Sequence, residues 1–410
     1  MNIAVFSHYF SPEIGAPSAR IHDMSRQWIA MGHNVQVVTC FPNHPTGQIY
    51  PGYTSASYAA EVIDGITVHR NWTYITPNKG FIKKTLGHVS FWPSSRVFSL
   101  PRMTRPDAII GTSPTFFAAM SAAAAARRFK VPFVMEVRDL WPACFVDLGV
   151  IRNRHIIRLL ERWELHLYRK ADHIVTVTDA FKQDLVRRAV PESKVTSIPN
   201  GADEDFWTPQ PRSGFLDRAA GGSRGFNVLY IGAHGISQAL TRILEAAKLL
   251  RDQPGIRFFL VGEGAEKAML QAAAREMNLA HVYFLDPVDK KAVRDCYADA
   301  DACLVPLRDI PLFKTFIPSK MFEMLAMGRP IVASLCGEAA DILKASGGAL
   351  VVPPEDSAAI AAAIRSLSDN PSVIPEMGER GREYVIRHYS RRALAARYVK
   401  TLQSTALNRP

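Results

Sequence analysis

The chain has 410 residues, of which 48% are hydrophobic and 21% charged, and a formal net charge of +11. That length exceeds one ordinary hydrophobic core and predicts two domains, with the composition of a globular rather than a disordered chain. No apolar run approaches the ~18 residues that a spanning helix needs. The opening residues, MNIAVFSHYFSPE, lack the basic and apolar segments of a secretory signal, so a cytoplasmic protein is expected.

The charge is uneven. Residues 1–200 hold 23 Lys and Arg against 14 Asp and Glu, whereas residues 201–410 hold 26 against 24. An anionic partner therefore belongs with the first half. Cys40, Cys144, Cys296, Cys303 and Cys336 form no C-x-x-C pair and read as reduced thiols, not as a metal or redox centre.

In chain order, apolar residues 3–7 predict a strand, residues 18–31 a helix closed by Gly32, and residues 35–39 a second strand. Residues 65–106 carry Arg70, Lys79, Lys83, Lys84, Arg96, Arg102 and Arg105 and no acid. Phe81, Ile82, Phe91 and Trp92 are interleaved with them. This is either a half-buried helix with a solvated face or an interfacial element on an anionic membrane, touching it through Lys83, Lys84, Phe91, Trp92 and Arg96. Alternation then continues: strand 108–110, helix 115–129, strand 133–137, helix 153–170, strand 173–178, helix 180–188. Short apolar strands between helices imply a parallel sheet covered on both faces, an α/β doubly wound fold.

Residues 197–227, with Asn-Gly, three prolines and a Gly-Gly-Ser-Arg-Gly run, read as a connection between domains. The expected organisation is a first domain at 1–200, a linker at 201–226, a second domain at 227–388 and a returning helix at 389–410. In the second domain strands are expected at 228–231, 258–261, 282–285, 302–305, 331–333 and 349–352.

Ligands of open α/β sheets bind beyond the carboxyl ends of strands. Three such ends stand out. Gly232, His234 and Gly235 follow one strand, and Gly262, Glu263 and Gly264 follow the next, as turns that admit a ligand to backbone amides or merely close a tight loop. The third end is PSKMFEMLAMGRPIVAS, 318–334. Ser319 reads as an N-cap, Lys320 as the first helical residue and Glu323 as one turn in. An anion on that terminus meets free amides and the Lys320 ammonium, and Glu323 can accept two hydroxyls of a vicinal diol. The plain alternative is a surface ion pair three residues apart, but the neighbouring Met321, Phe322, Met324 and Leu325 argue for a buried helix. Asp299 and Asp301 make a D-x-D spacing, read as structural, not metal-binding. No G-x-G-x-x-G or G-x-x-x-x-G-K-[ST] is present.

The order of IPNGAD (198–203), VGEGAEK (261–267), DACLVPL (301–307) and the 318–334 segment resembles the retaining nucleotide-sugar glycosyltransferases of family 4, which have the GT-B fold. The resemblance implies two tandem Rossmann-like domains, a cleft that closes about the 201–226 linker, and a C-terminal helix packing back on the first domain. EIGAPSAR and EVRDLWP resemble bacterial transferases of N-acetylfucosamine-type sugars in surface polysaccharide assembly.

By position, Glu323 matches the ribose-holding carboxylate, and Thr315 stands where the family has a first Glu. Pro318 and Ser319 complete the donor site. Ala233 and Gln238 stand where the family has its diphosphate-clamping Arg and Lys, so Lys320 is expected to supply that charge. Gly15, Ala16 and Arg20 match the loop facing the leaving phosphates. Arg138 replaces the family's cleft histidine, beside Asp139 as orienting carboxylate.

The implied substrates are a UDP-sugar and a lipid-linked saccharide carried on polyprenyl diphosphate, at the inner membrane face, with no cofactor and no nucleic acid. The rival expectations are a UDP-sugar epimerase or phosphorylase of the same fold, and a non-enzymatic polyanion binder.

Overall fold

A computed structural model describes residues 1–407 except 14, 45, 77–80, 114, 144–145, 147–150 and 254, and excepting also the side chains of 81, 82 and 84. Lys79, Cys144 and the side chains of Phe81, Ile82 and Lys84 thus lie outside the described residues. The chain divides into two units, residues 1–200 with 391–410, and residues 201–390.

The first unit runs β1 (Asn2–Phe6), α1 (Ala16–Ala30), β2 (Asn34–Cys40), β3 (Tyr58–Ile63), β4 (Ile66–Asn71) and α2 (Phe81–Ser94). It continues with β5 (Ala108–Thr112), α3 (Phe116–Phe129), β6 (Phe133–Val137), α4 (Arg154–Lys170), β7 (His173–Thr176), α5 (Asp179–Arg187) and β8 (Val195–Ser197). Among the described residues its sheet has the order β3-β4-β2-β1-β5-β6-β7-β8. All pairings are parallel except β3 with β4. This edge hairpin was not expected. Its turn is Asp64-Gly65, both at positive φ, the geometry that lets two residues join twisted antiparallel strands. α2 runs into a π-helical turn at Ser95–Ser99, and Phe91 lies fully buried in its inner face.

The second unit holds α6 (Phe215–Ala219), β9 (Phe226–Ile231), α7 (Leu240–Leu249), β10 (Ile256–Val261), α8 (Lys267–Glu276), β11 (Val282–Leu285) and α9 (Lys290–Asp299). Then come β12 (Ala302–Pro306), α10 (Lys320–Ala326), β13 (Ile331–Ser334), α11 (Glu338–Ser346), β14 (Ala349–Val352), α12 (Ser357–Asp369) and α13 (Val373–Tyr389). The sheet order is β11-β10-β9-β12-β13-β14, all parallel. Its strands are short and apolar because both faces are covered: Val228, Tyr230, Phe258, Leu260 and Leu304 pack against Leu244, Ala247 and Ile364 from the helices. Strand order reverses at β1 in the first sheet and at β9 in the second, so a ligand crevice is expected beyond those two strand ends. α14 (Arg391–Leu407) returns to the first unit, where the Trp28 indole donates to the Ala395 carbonyl and Tyr398 meets Trp28 edge-on.

Residues 201–226, expected as a loose linker, are stitched into the second unit. Asp299 accepts from the backbone amides of Ser213 (2.6 Å), Gly214 (3.0 Å) and Leu216 (2.9 Å). Asp301 accepts from Arg212 at 2.9 Å and from the Asn227 amide at 2.8 Å. The D-x-D carboxylates thus spend their oxygens on the chain itself, fixing the path of this segment around its one short helix, α6. Asp299→Ala leaves three amides without acceptors, and urea unfolding is expected to show a loss of about 3 kcal/mol. A wild-type midpoint would contradict this anchoring.

Candidate functional site

In the second unit the loops after β9 and β10 lie back to back. The Gly232 amide donates to Val261 at 2.9 Å, the His234 amide to Glu263 at 2.9 Å, and the Glu266 amide to His234 at 2.9 Å. A Cβ on Gly262 would stand 2.0 Å from the Gly232 carbonyl oxygen, and one on Gly264 would stand 2.3 Å from that of His234. Gly262 also sits at φ 142°, where side chains are strained. These two glycines are therefore required by loop-on-loop contact, whatever else their amides do. Gly232 instead opens toward Lys320 and Tyr230, whose Nζ and hydroxyl lie 3.4 Å and 3.3 Å from where its Cβ would be. Gly235 precedes the turn Ile236–Gln238.

Lys320 reaches the end of β9. Its Nζ donates to the Ile231 carbonyl at 3.2 Å and lies 3.9 Å from the centre of the Tyr230 ring. Burial lowers its pKa to about 7, against the opposing pull of Cys303 and Glu323. The ring face, by contrast, favours the charged form. Tyr230 was missed by sequence reasoning because it lies inside an apolar strand run. Its hydroxyl donates to Ala233 at 2.6 Å, so the ring is held flat beneath the ammonium.

His234 is wholly buried, and neither ring nitrogen bonds any described residue. Burial, reinforced by Lys267, pushes its pKa down to about 4, so the ring is neutral at ordinary pH. A buried imidazole with both nitrogens unspent calls for a partner from outside the described side chains. Glu263 and Asp286 pair with Lys267 at 3.0 Å and 2.7 Å, which occupies the one acid of the second glycine turn.

α10 begins at Lys320 as expected, but Ser319 does not cap it. Ser319 itself has helical dihedrals and makes no side-chain cap bond, and the Met321 amide bonds Pro318 instead. The helix thus starts on a tight turn, with the Met321 and Phe322 amides spent on the Pro318 and Ser319 carbonyls at 3.1 Å and 3.2 Å. Glu323, half-buried, accepts from the Tyr297 hydroxyl at 3.3 Å. Tyr297 is buried against Trp207. Thr315 bonds its own turn, donating to Leu312 at 2.7 Å.

In the first unit, Gly15 stands at the N-cap of α1 at φ 148°, and no side chain caps that helix. Arg138 follows β6, and its guanidinium donates to the carbonyls of Ala16 and Pro17, both at 2.9 Å. It is therefore a positioning residue that ties down the helix entry, not a group presented to a substrate. Burial lowers its pKa to about 10. Asp139 accepts no hydrogen bond among the described residues, and burial raises its carboxyl to about 6 despite Arg138. Arg20, expected beside phosphates, is 2% exposed. It bonds Glu136 at 3.1 Å and the Ile198 and Pro199 carbonyls at 2.9 Å and 2.8 Å, so it fixes the chain's exit from this unit. Glu13, also missed, accepts from the Phe10, Asn43 and His44 amides and locks the loop after β1 to the loop after β2.

Of the residues expected at a membrane, Lys83 and Arg96 are exposed and Trp92 is half-buried beneath Arg96. Phe91 is not among them, because at 0% exposure it belongs to the core. No helix among the described residues is long and apolar enough to cross a membrane.

With this geometry in view, residues 15–201 match the glycosyl transferase 4-like domain and residues 225–370 match the glycosyl transferases group 1 domain. The chain is 25% identical over 420 residues to WcaI of Escherichia coli K12, named for glycosyl transfer in colanic acid biosynthesis, covering 98% of this chain and 100% of that one. It is 28% identical over 240 residues to the D-rhamnosyltransferase WbpZ of Pseudomonas aeruginosa, covering 56% and 58%. Its fold is similar to that of sucrose-phosphate synthase from Thermosynechococcus elongatus (TM-score 0.75, 19% identity, 98% of each chain). It is also similar to Anabaena Alr3699/HepE in complex with UDP-glucose (TM-score 0.73, 15% identity, 98% and 100%).

Gly262→Ala is expected to cost about 3 kcal/mol or more in urea unfolding, since a Cβ meets backbone that cannot swing away. Gly235→Ala, whose nearest neighbour is the end of the Gln238 side chain, is expected to unfold at or close to the wild-type midpoint. Equal losses at the two positions would contradict the loop-on-loop constraint.

Proposed function

We propose that this chain, which belongs to the glycosyltransferases pairing a 4-like first domain with a group 1 second domain, moves a sugar from a UDP-sugar to a lipid-linked saccharide with retention at the anomeric carbon. The observation that carries the donor assignment is Lys320. It is an ammonium held half-buried at the carboxyl end of the switch-point strand, on the first residue of α10. The similarity to WcaI supports a role in surface polysaccharide assembly, and the fold shared with a UDP-glucose complex supports UDP as the nucleotide. An N-acetylated amino-deoxy hexose is the sugar that the front-end motifs favour, and the acceptor rides on polyprenyl diphosphate at the inner membrane face.

The chemistry asks for stabilisation of a departing diphosphate while the anomeric carbon gains oxocarbenium character. Lys320 supplies the cation, while His234, wholly buried, acts through its backbone, which ties the turn after β9 to the turn after β10. Glu323 takes the ribose diol. In the first unit, Arg138 holds the Gly15–Ala16 turn in place, and Asp139, with a carboxyl raised to about 6, orients the acceptor hydroxyl. A departing phosphate oxygen takes the acceptor's proton, so no carboxylate dyad is needed.

Glu323→Ala is expected to weaken UDP binding at least about tenfold by calorimetry, roughly 1.4 kcal/mol, with an unchanged circular dichroism spectrum. Wild-type affinity would remove the ribose assignment, and tighter binding of ADP or GDP would remove UDP.

The Lys320 ammonium also sets a pH dependence. Its free pKa of about 7 rises when a diphosphate binds, because the anion favours the charged form. Affinity for UDP-glucose, whose diphosphate stays ionised over this range, is therefore level below pH 7. Above pH 7 it falls by up to about tenfold per unit until the bound-state pKa is reached. Lys320→Met is expected to bind weakly with no such slope; a slope that survives the substitution would assign it elsewhere.

A further inference from the structure

α4 shows two stripes on its solvent side. Ile156, Leu159 and Trp163 recur at three- and four-residue intervals and are 49%, 48% and 44% exposed. Arg154, Arg158 and Arg162 form a second exposed stripe beside them and make no ion pair with any described residue. The opposite side is anchored. Glu164, Leu167 and Tyr168 are buried, Tyr168 donates to Glu164 at 2.6 Å, and Arg188 pairs with Glu164. The helix therefore needs neither stripe to hold its place. An exposed leucine alone would mean nothing, but an apolar row running parallel to an unpaired arginine row is the pattern of a helix lying in a headgroup layer.

The apolar row leads into a groove. His166, Leu167 and Lys170, one and two turns further along α4, border a cavity of about 540 Å³ whose other walls come from α3 and α2. Its floor is Trp92, Met120, Ala123 and Phe133, and Arg127, Lys130 and Lys170 stand at its rim. Trp92 also borders a neighbouring cavity of about 440 Å³, with Arg96 and Arg128. The acids on this side are Glu161, exposed on α4, and Asp172, which accepts from the Phe133 amide at 2.8 Å.

We propose that α4 and the adjoining groove dock on the surface of a bilayer bearing anionic phospholipid. Ile156, Leu159 and Trp163 enter the acyl boundary, and Arg154, Arg158 and Arg162 meet the phosphates. Charge complementarity selects this occupant: a second copy of the chain would set arginine against arginine, whereas anionic headgroups neutralise the row. The proposal moves the main membrane contact from α2, whose Phe91 is buried, to α4, and it does not depend on the sugar or nucleotide assignment.

The test is flotation of the full chain with phosphatidylcholine vesicles containing phosphatidylglycerol, and with phosphatidylcholine vesicles alone, at about 0.1 M and about 1 M salt. Binding is expected to the anionic vesicles at low salt and to fall at high salt. Ile156→Ser with Leu159→Ser and Trp163→Ser, and separately Arg154→Glu with Arg158→Glu and Arg162→Glu, are each expected to reduce it at least tenfold. Both variants should keep the wild-type melting temperature and UDP affinity, which separates failure of docking from failure of the donor site. Equal binding to neutral vesicles overturns the proposal, as does unchanged binding by the arginine variant. A wild-type dimer in light scattering that the apolar variant makes monomeric also overturns it. Should the apolar variant fail to fold, the arginine variant, changed only at exposed unpaired positions, decides alone.

Discussion

Two loops of backbone can touch closely only where at least one of the facing residues lacks a side chain, and here Gly262 and Gly264 are those residues. At the carboxyl ends of β9 and β10 the Gly232 and Gly262 backbones meet with no room for a single added carbon, and so do His234 and Gly264. That contact sets the path of both loops. It turns the His234 ring inward among Tyr230 and Phe284 and leaves the Ile231 carbonyl where the Lys320 ammonium can reach it. The ammonium is in turn half out of water, which lowers its proton affinity. The site's electrostatics thus descend from a steric constraint on glycine.

The first unit uses its buried arginines in the opposite sense. Arg20, Arg70 and Arg138 each donate to backbone carbonyls, and Arg20 and Arg70 also pair with Glu136 and Glu61. A guanidinium offers five donors in one plane, so a single side chain can satisfy several orphaned carbonyls where loops converge. These arginines brace the turn at Gly15 and the exit at Pro199. The cations left unpaired lie outside, on α4 and around Trp92, where charge remains available to a partner.

Legibility differed by kind of feature. The βα alternation was readable from periodicity, and the helix bearing Lys320 and Glu323 begins at the expected residue. The edge hairpin β3–β4 carried a local signal, Asp-Gly between alternating residues, that was passed over among the basic residues that follow. Arg20 and Arg138 could not be assigned from sequence, because the carbonyls they serve belong to segments 120 to 180 residues away. Phe91 and Trp92 are neighbours of like character, and only packing sends one inward and leaves the other at a groove.

By itself, the sequence determined what is encoded in neighbours along the chain. Apolar runs made strands, helical periods made helices, and an ordered set of short motifs pointed to the family. The tertiary structure alone decided which charges are spent and which remain. A carboxylate such as Asp299 or a guanidinium such as Arg138 acts on what lies within about 3 Å of it. Folding, not sequence spacing, brings backbone amides to the one and loop carbonyls to the other, and leaves the arginines of α4 facing water.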